Sequence, residues 1–88
     1  MDGNKIREVL LKVIKEYEKK GPGHFQQRPI LIESAKRLGI KGDLDLEQAL
    51  LTVWHDLFRT GHLSWGHNLD NPGPPFCHLT TKGREELK

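Results

Sequence analysis

The chain has 88 residues, 35% of them hydrophobic and 30% charged, and a formal net charge of +2 at pH 7. This length predicts one small domain, residues 1–88, with a single hydrophobic core. Because the sequence has no apolar run near the roughly 20 residues that span a bilayer, and no leader pattern at Met1-Asp-Gly-Asn, we expect no membrane partner. The single cysteine, Cys77, has no partner for an internal disulfide, so we expect a reducing, cytoplasmic location.

Charge is distributed unevenly along the chain. Residues 21–42 carry four basic groups against one acidic group, whereas residues 43–61 carry one basic group against four acidic groups. Residues 62–80 contain one aspartate and neither lysine nor arginine. Positive charge is therefore concentrated in the first part of the chain and not in residues 43–61, and this asymmetry counts against a simple nucleic-acid-binding interpretation.

The first predicted element is a helix over residues 4–20. Its apolar residues recur at helical spacing: Ile6, Val9, Leu10, Val13, Ile14 and Tyr17. Asp2 or Asn4 stands where an N-cap is needed, and Gly21-Pro22-Gly23 ends the helix. In the loop that follows, Phe25 is expected to anchor the chain in the core.

A second helix is predicted over residues 29–40. Pro29 suits its first position, because the N–H that proline lacks has no partner there in any case. The expected inward residues are Leu31, Ala35 and Leu38, and Gly39 is expected to end the helix. The piece Ala35-Lys-Arg-Leu-Gly-Ile40 resembles the end of the first helix and the turn of a helix-turn-helix, where alanine permits a close crossing and glycine supplies a positive φ.

The third helix is predicted to begin near Asp43 or Asp45. The run Asp45-Leu-Glu-Gln48 has the form of a capping box, with aspartate as the N-cap and glutamine three residues later. A wide apolar stripe follows, which predicts that this helix is the central one. The stripe consists of Leu46, Ala49, Leu50, Val53, Trp54, Leu57 and Phe58.

After Gly61 the apolar pattern changes to a period of two. The run from His62 to His67 predicts a strand, residues 68–75 predict a loop, and the run from Phe76 to Thr80 predicts a returning strand. Cys77 and Leu79 are expected to face the core. Thr80 or Thr81 then caps a short helix that carries Leu87. Because so short a helix is unstable alone, we expect either that Leu87 docks it or that the domain is excised from a longer protein.

The order of three helices, two strands and a helix, together with Leu79-Thr-Thr-Lys-Gly83 and Leu87, resembles the winged helix-turn-helix superfamily across nearly the whole chain. The resemblance implies a mainly helical fold: a three-helix core, a two-stranded wing and the start of a C-terminal helix. Most members of the superfamily bind duplex DNA, and others use the scaffold for protein–protein interaction. The resemblance therefore implies a duplex DNA partner or, alternatively, a protein partner without DNA binding.

Under the DNA interpretation, the outer face of the third helix lies in the major groove. Its side chains are Gln48, Leu51, Thr52, His55 and Arg59. The cations expected to contact phosphates are Arg28, Lys36, Arg37 and Lys41. The chain would then serve as a regulatory or targeting module, as in transcription regulation. Because Asp43, Asp45 and Glu47 repel phosphates at the start of the third helix, binding is expected to be weak and salt-dependent.

Two alternatives stay open at this point. The same polar side chains are typical of the solvated face of any amphipathic helix. A protein-binding domain would instead use exposed apolar groups: Leu51, Leu69, Phe76 and the prolines of the wing.

Five histidines and one cysteine raise the question of a metal centre. His62, His67, Cys77 and His78 approach one another across the predicted hairpin. However, the sequence has no Cys-x-x-Cys or His-x-x-x-His pair, and Cys77 and His78 point to opposite faces of a strand. It also lacks a nucleophile–base motif and a phosphate-binding glycine loop. We therefore expect no metal, no cofactor and no catalytic residue, in a chain that is not an enzyme by itself.

Overall fold

The structure, a computed structural model, describes residues 2–21 and 25–87. Within these ranges three helices come first: α1 (Gly3–Lys20), α2 (Gln27–Leu38) and α3 (Leu44–Arg59). A two-stranded antiparallel sheet of β1 (Leu63–Trp65) and β2 (Cys77–Leu79) precedes the short helix α4 (Thr81–Glu86). The prediction of a mainly helical fold with a small hairpin and a C-terminal helix is confirmed. None of the helices in the described part of the chain has the length and apolar character needed to cross a membrane.

Side-chain caps set the start of α1 and α4, as the sequence predicts. The Asp2 carboxylate accepts a hydrogen bond from the backbone N–H of Asn4 at 2.8 Å, and Gly21 ends α1 with a φ of 100°. Thr80, rather than Thr81, caps α4, since its hydroxyl oxygen accepts from the N–H of Gly83 at 3.1 Å. Residues 22 and 23 of the predicted stop lie outside the described residues.

The start of α2 was predicted wrongly. The helix begins at Gln27, two residues before Pro29. The Gln27 N–H donates to the carbonyl of Pro75 at 3.0 Å, in the loop between β1 and β2 (the wing loop, residues 66–76). The unpaired amide at the helix start is thus satisfied by a distant segment rather than removed by proline. A contact of this kind has no local signature in the sequence.

The inward face of α2 also differs from the prediction. Ile30 and Ser34 are fully buried beside Ala35, whereas Leu31 and Leu38 are only partly buried against the core. The Ser34 hydroxyl donates to the carbonyl of Ile30 at 2.8 Å. Because this bond satisfies the hydroxyl inside the helix, the buried serine carries no unpaired polar group.

The N-cap of α3 is Asp43, and the assignment of that role to Asp45 was wrong. The Asp43 carboxylate accepts from the N–H of Leu46 at 3.2 Å, and the Glu47 carboxylate accepts from the N–H of Gly42 at 2.6 Å. Glu47 therefore accepts the amide of the residue before the N-cap, in place of the reciprocal contact that the capping-box pattern assigned to Gln48. Gln48 is left exposed on the helix surface.

Trp54 of α3 is fully buried in the core, where it joins α3 to α2 and β1. Its side chain is 0% exposed, and its indole N–H donates to the side-chain oxygen of Gln27 at 2.9 Å. The indole meets the rings of Phe58 and Trp65 edge-on, with centroids 5.1 Å and 6.4 Å away. Phe58 and Trp65 stack on each other at 4.1 Å, which holds the wing against the second half of α3.

The helix α4 docks on the corner at residues 60–62, where α3 leads into β1. The Thr80 hydroxyl donates to the carbonyl of Gly61 at 2.6 Å, and the Thr80 N–H donates to the carbonyl of His62 at 3.1 Å. A Cβ atom at Gly83 would overlap that same His62 carbonyl. Thr80 and Gly83 thus have separate roles: Thr80 binds the corner through hydrogen bonds, and Gly83 lets α4 approach the His62 carbonyl closely.

Replacing Trp54 with alanine tests the central position of α3. Emptying this site is expected to lower the free energy of unfolding by about 3–5 kcal/mol, through lost burial and the cavity left behind. Urea denaturation followed by circular dichroism measures the change. Leu69→Ala serves as the control, because Leu69 is 97% exposed in the wing loop, and its effect is expected to stay within about 0.5 kcal/mol. Equal losses in the two variants would contradict the central role of Trp54.

Candidate nucleic-acid interface

The outer face of α3 is exposed along most of the helix. Gln48, Thr52, His55 and Arg59 are all exposed on it, as their helical spacing predicts. From the first to the last of these residues the face extends about 16 Å along the helix axis. A surface of this shape suits the major groove of B-DNA, which is roughly 12 Å wide and admits one helix.

Two of these side chains are partly engaged within the helix. The Thr52 hydroxyl donates to the carbonyl of Gln48 at 3.0 Å, so its hydrogen is already used. The Arg59 guanidinium donates to one carboxylate oxygen of Asp56 at 2.9 Å and 3.2 Å. Because the Arg59 side chain is 74% exposed, this ion pair is well screened and contributes little stability. The guanidinium can therefore leave Asp56 for a phosphate at small cost.

Three exposed cations lie on α2 and on the turn that leads into α3. Arg28, Lys36 and Lys41 are exposed, and none of them forms an ion pair within the described ranges. Arg28 and Lys36 are eight residues apart on α2 and so lie on the same side of that helix. Their charge is available to an anionic partner.

Arg37, also predicted to contact phosphate, lies in a network that joins α2 to α1. Its guanidinium donates to both carboxylate oxygens of Glu16, at 2.7 Å and 2.8 Å, and to Glu33 at 2.8 Å. The hydrogen bond from Arg37 lowers the pKa of Glu16, and the bonds to Glu16 and Glu33 raise the pKa of Arg37. A phosphate would have to compete with two carboxylates for this side chain.

The acidic start of α3 is less uniform than its sequence indicates. The carboxylates of Asp43 and Glu47 each accept a backbone N–H, which uses part of their hydrogen-bonding capacity. Asp45 is exposed and has neither a hydrogen bond nor an ion pair among the residues described. All three carboxylates repel an approaching phosphate, and Asp45 is the one whose charge can be removed without losing a cap contact.

The wing, which consists of β1, β2 and the loop between them (residues 63–79), offers no cation. Strand pairing joins Leu63 to Leu79 and Trp65 to Cys77. Beyond the strands, the Asn68 side chain accepts from the N–H groups of Asp70 and Asn71 at 3.0 Å and 2.8 Å. Since residues 62–80 contain no lysine or arginine, the wing adds no charge-driven contact to a phosphate backbone.

Apolar groups are also exposed around α3, and the sequence pattern indicates only some of them. In the described part of the chain the large apolar side chains that are exposed are Ile32, Leu44, Leu51 and Leu69. Leu51 and Leu69 were predicted as contacts, whereas Phe76 is half-buried and its backbone bridges Gln26. Ile32 and Leu44 were missed. The exposure of Ile32 follows from the burial of Ile30 and Ser34, which turns a different face of α2 inward.

The histidines and the cysteine near the hairpin have structural partners. The ring of His62 is buried, and it contacts the Thr60 hydroxyl through Nδ1 at 2.7 Å and the Glu86 carboxylate through Nε2. The Nδ1 atom of His78 lies 2.7 Å from the carbonyl of Gly66. Burial raises the pKa of the Cys77 thiol to about 12, so the thiol is protonated at neutral pH. No three His, Cys, Asp or Glu side chains among the described residues converge to hold a metal ion.

No model of a known protein family, no curated protein and no solved structure matches this chain.

Acid is expected to weaken the docking of α4. Arg7 donates to the Glu86 carboxylate at 2.5 Å, and this hydrogen bond lowers the pKa of Glu86 despite its partial burial. Because the pKa of Glu86 is lower in the folded chain than in the unfolded chain, where it is about 4.3, the charged carboxylate stabilises the fold at pH values above 4.3. This stabilisation is lost as the pH falls through the folded-state pKa. Glu86→Gln is therefore expected to reduce stability at about pH 5.5 by at most roughly 1 kcal/mol, since the pair is partly solvated.

The same difference between wild type and Glu86→Gln is expected to shrink as the pH is lowered from about 5.5 toward 3, because the Glu86 carboxylate is neutralised as the pH falls through its lowered folded-state pKa. Urea denaturation at the two pH values measures it. Glu85→Gln is the control, because Glu85 is exposed and has no partner in the described ranges. A Glu86→Gln deficit that stays constant between the two pH values would contradict the assignment.

Proposed function

We propose that the chain is a winged helix-turn-helix domain that binds duplex DNA as a regulatory or targeting module. The observation that carries the proposal is the exposed polar face of α3, together with three exposed cations on α2 and the following turn that form no ion pair with the described residues. The order of helices and strands supports it, because this order is the one that the superfamily uses to present its third helix.

In the proposed complex, α3 lies in the major groove. Gln48 can address adenine through its amide, and His55 and Arg59 can reach guanine or phosphate. Arg28, Lys36 and Lys41 contact the phosphate backbone and set the position of the helix in the groove. The bases are read by a few side chains only, so sequence preference is modest.

Binding is expected to be weak for three reasons. Arg37 is held by Glu16 and Glu33, Asp45 repels phosphate at the start of α3, and the wing contains no cation. About three phosphate contacts remain, which corresponds to a logarithmic salt slope of roughly −3 and a dissociation constant in the micromolar range or above.

A second candidate function is protein–protein interaction on the same scaffold, without DNA binding. The exposure of Ile32, Leu44 and Leu51 favours it, since these apolar side chains border the same face of α3. Apolar surface of this kind is typical of protein-binding sites and gains little from a phosphate backbone.

The double substitution Lys36→Ala/Lys41→Ala tests the DNA proposal. Removing two phosphate contacts is expected to weaken binding to every duplex sequence and to flatten the salt slope by about two units. Fluorescence anisotropy with a labelled random duplex, titrated at several salt concentrations, measures both quantities. The matched control is Lys15→Ala/Lys19→Ala, which removes the same charge from α1 beside Arg84 and Leu87.

A second arm uses Asp45→Asn. Because Asp43 is the N-cap, this change leaves the cap intact and removes the exposed carboxylate, so it is expected to tighten DNA binding. Asp70→Asn, in the wing, is its control.

If the α1 control Lys15→Ala/Lys19→Ala loses as much affinity as Lys36→Ala/Lys41→Ala, the effect of charge is nonspecific. If no duplex binds at high micromolar protein, the DNA proposal is wrong and the protein-interaction function stands in its place.

A further inference from the structure

We propose that the groove between α2 and α3 binds an amphipathic helix of a partner protein, with acidic residues along the edge of its apolar face. This proposal rests on the second candidate function, protein–protein interaction, and adds the kind of partner and the place where it binds. It does not require DNA binding.

The groove itself is apolar. It has a volume of about 290 Å³ and is lined on the α2 side by Leu31, Ile32 and Ala35 and on the α3 side by Leu50 and Leu51. This volume is at the lower limit of the roughly 300–1,000 Å³ that ligand pockets span, so the groove suits a few side chains of a docked segment.

The polar groups at the end of the groove are Lys41 and Glu47. The Glu47 carboxylate already accepts the N–H of Gly42, whereas Lys41 has no ion pair among the described residues. The end of the groove therefore offers a partner a positive charge.

Exposed apolar side chains extend the groove along α3. Ile32 and Leu51 form part of its opposite walls and are 40% and 38% exposed. Leu44 is two turns before Leu51 on the same side of α3 and is 66% exposed. A row of apolar contacts of this length, set between two helices, matches the way an amphipathic helix lies in a hydrophobic groove with anchors at i, i+3 or i+4, and i+7.

Charge along the groove selects an acidic partner. Arg28 and Lys36 lie one helical turn before and after Ile32, and Lys41 follows at the turn. On the other side, the stripe of α3 that contains Leu44 and Leu51 also contains Gln48, His55 and one carboxylate, Glu47, which already accepts the N–H of Gly42. The unpaired cations therefore form one long edge, and a docked helix with Glu or Asp along that edge complements them.

The wing is a weaker location for the same partner. Leu69 is 97% exposed, but it stands alone on the loop, next to Asp70, and is not among the residues that line the groove. A single exposed leucine needs no partner, whereas a groove lined by five apolar residues, two of them exposed, and extended by the exposed Leu44 is typical of a binding site.

The test is a selection with a phage library that displays random 16-residue peptides, carried out on the wild-type chain. Enriched peptides are synthesised with a fluorescent label, and their affinity is measured by anisotropy. We expect helical peptides with an apolar stripe and flanking Glu or Asp.

Leu51→Gln and Leu44→Gln are each expected to weaken the binding of these peptides about tenfold, as for removal of one anchor of a helix-in-groove contact. Lys36→Ala is expected to weaken it at low salt. Leu69→Gln is the control and is expected to change nothing.

The possible outcomes separate the proposals. Leu44, Leu51 and Leu69 are exposed, so all variants are expected to unfold at the same temperature as the wild type. If one of the two groove variants is destabilised, the other one still tests the groove. Enriched peptides that are basic, or that lose affinity in Leu69→Gln and not in the groove variants, overturn the groove but leave a protein-interaction function standing. If no peptide is enriched, both are overturned, and duplex binding that depends on Lys36 and Lys41 then leaves DNA as the partner.

Discussion

The burial of Trp54 in the middle of α3 is the constraint on which the rest of the structure depends. Its indole N–H binds Gln27 at the start of α2, and the backbone of Gln27 binds Pro75 in the wing loop. Its ring also meets Trp65 of β1. One side chain thus fixes the positions of α2, α3 and the wing relative to one another. Because this side of α3 is committed to the core, the opposite side is exposed and is available to a partner.

Local features were predictable from the sequence because their causes are local. The apolar stripe of α3, the cap by Thr80 and the alternation of β1 and β2 each depend on residues within a few positions, and they are confirmed. The errors have distant or competing causes. The start of α2 depends on Pro75, and the cap of α3 depends on a choice between two aspartates that stand two positions apart.

The candidate interface shows the same division. The exposure of Gln48, Thr52 and His55 follows from helical spacing, so it was predictable. The engagement of Arg37 by Glu16 joins two helices and has no sequence signature. The exposure of Ile32 depends on how α2 packs. As a result, the structure adds an apolar groove beside the polar face, and the two features favour different partners although both would use Lys36 and Lys41.

The claim that the outer face of α3 binds duplex DNA is tested most directly by mapping amide chemical shifts in an ¹⁵N-labelled sample during titration with a random duplex at low salt. The account predicts that the largest changes fall on the α2 edge, the turn and the exposed side of α3, at Lys36, Lys41, Gln48, Thr52 and His55. Changes centred on α1, on the wing or nowhere in the chain would contradict it.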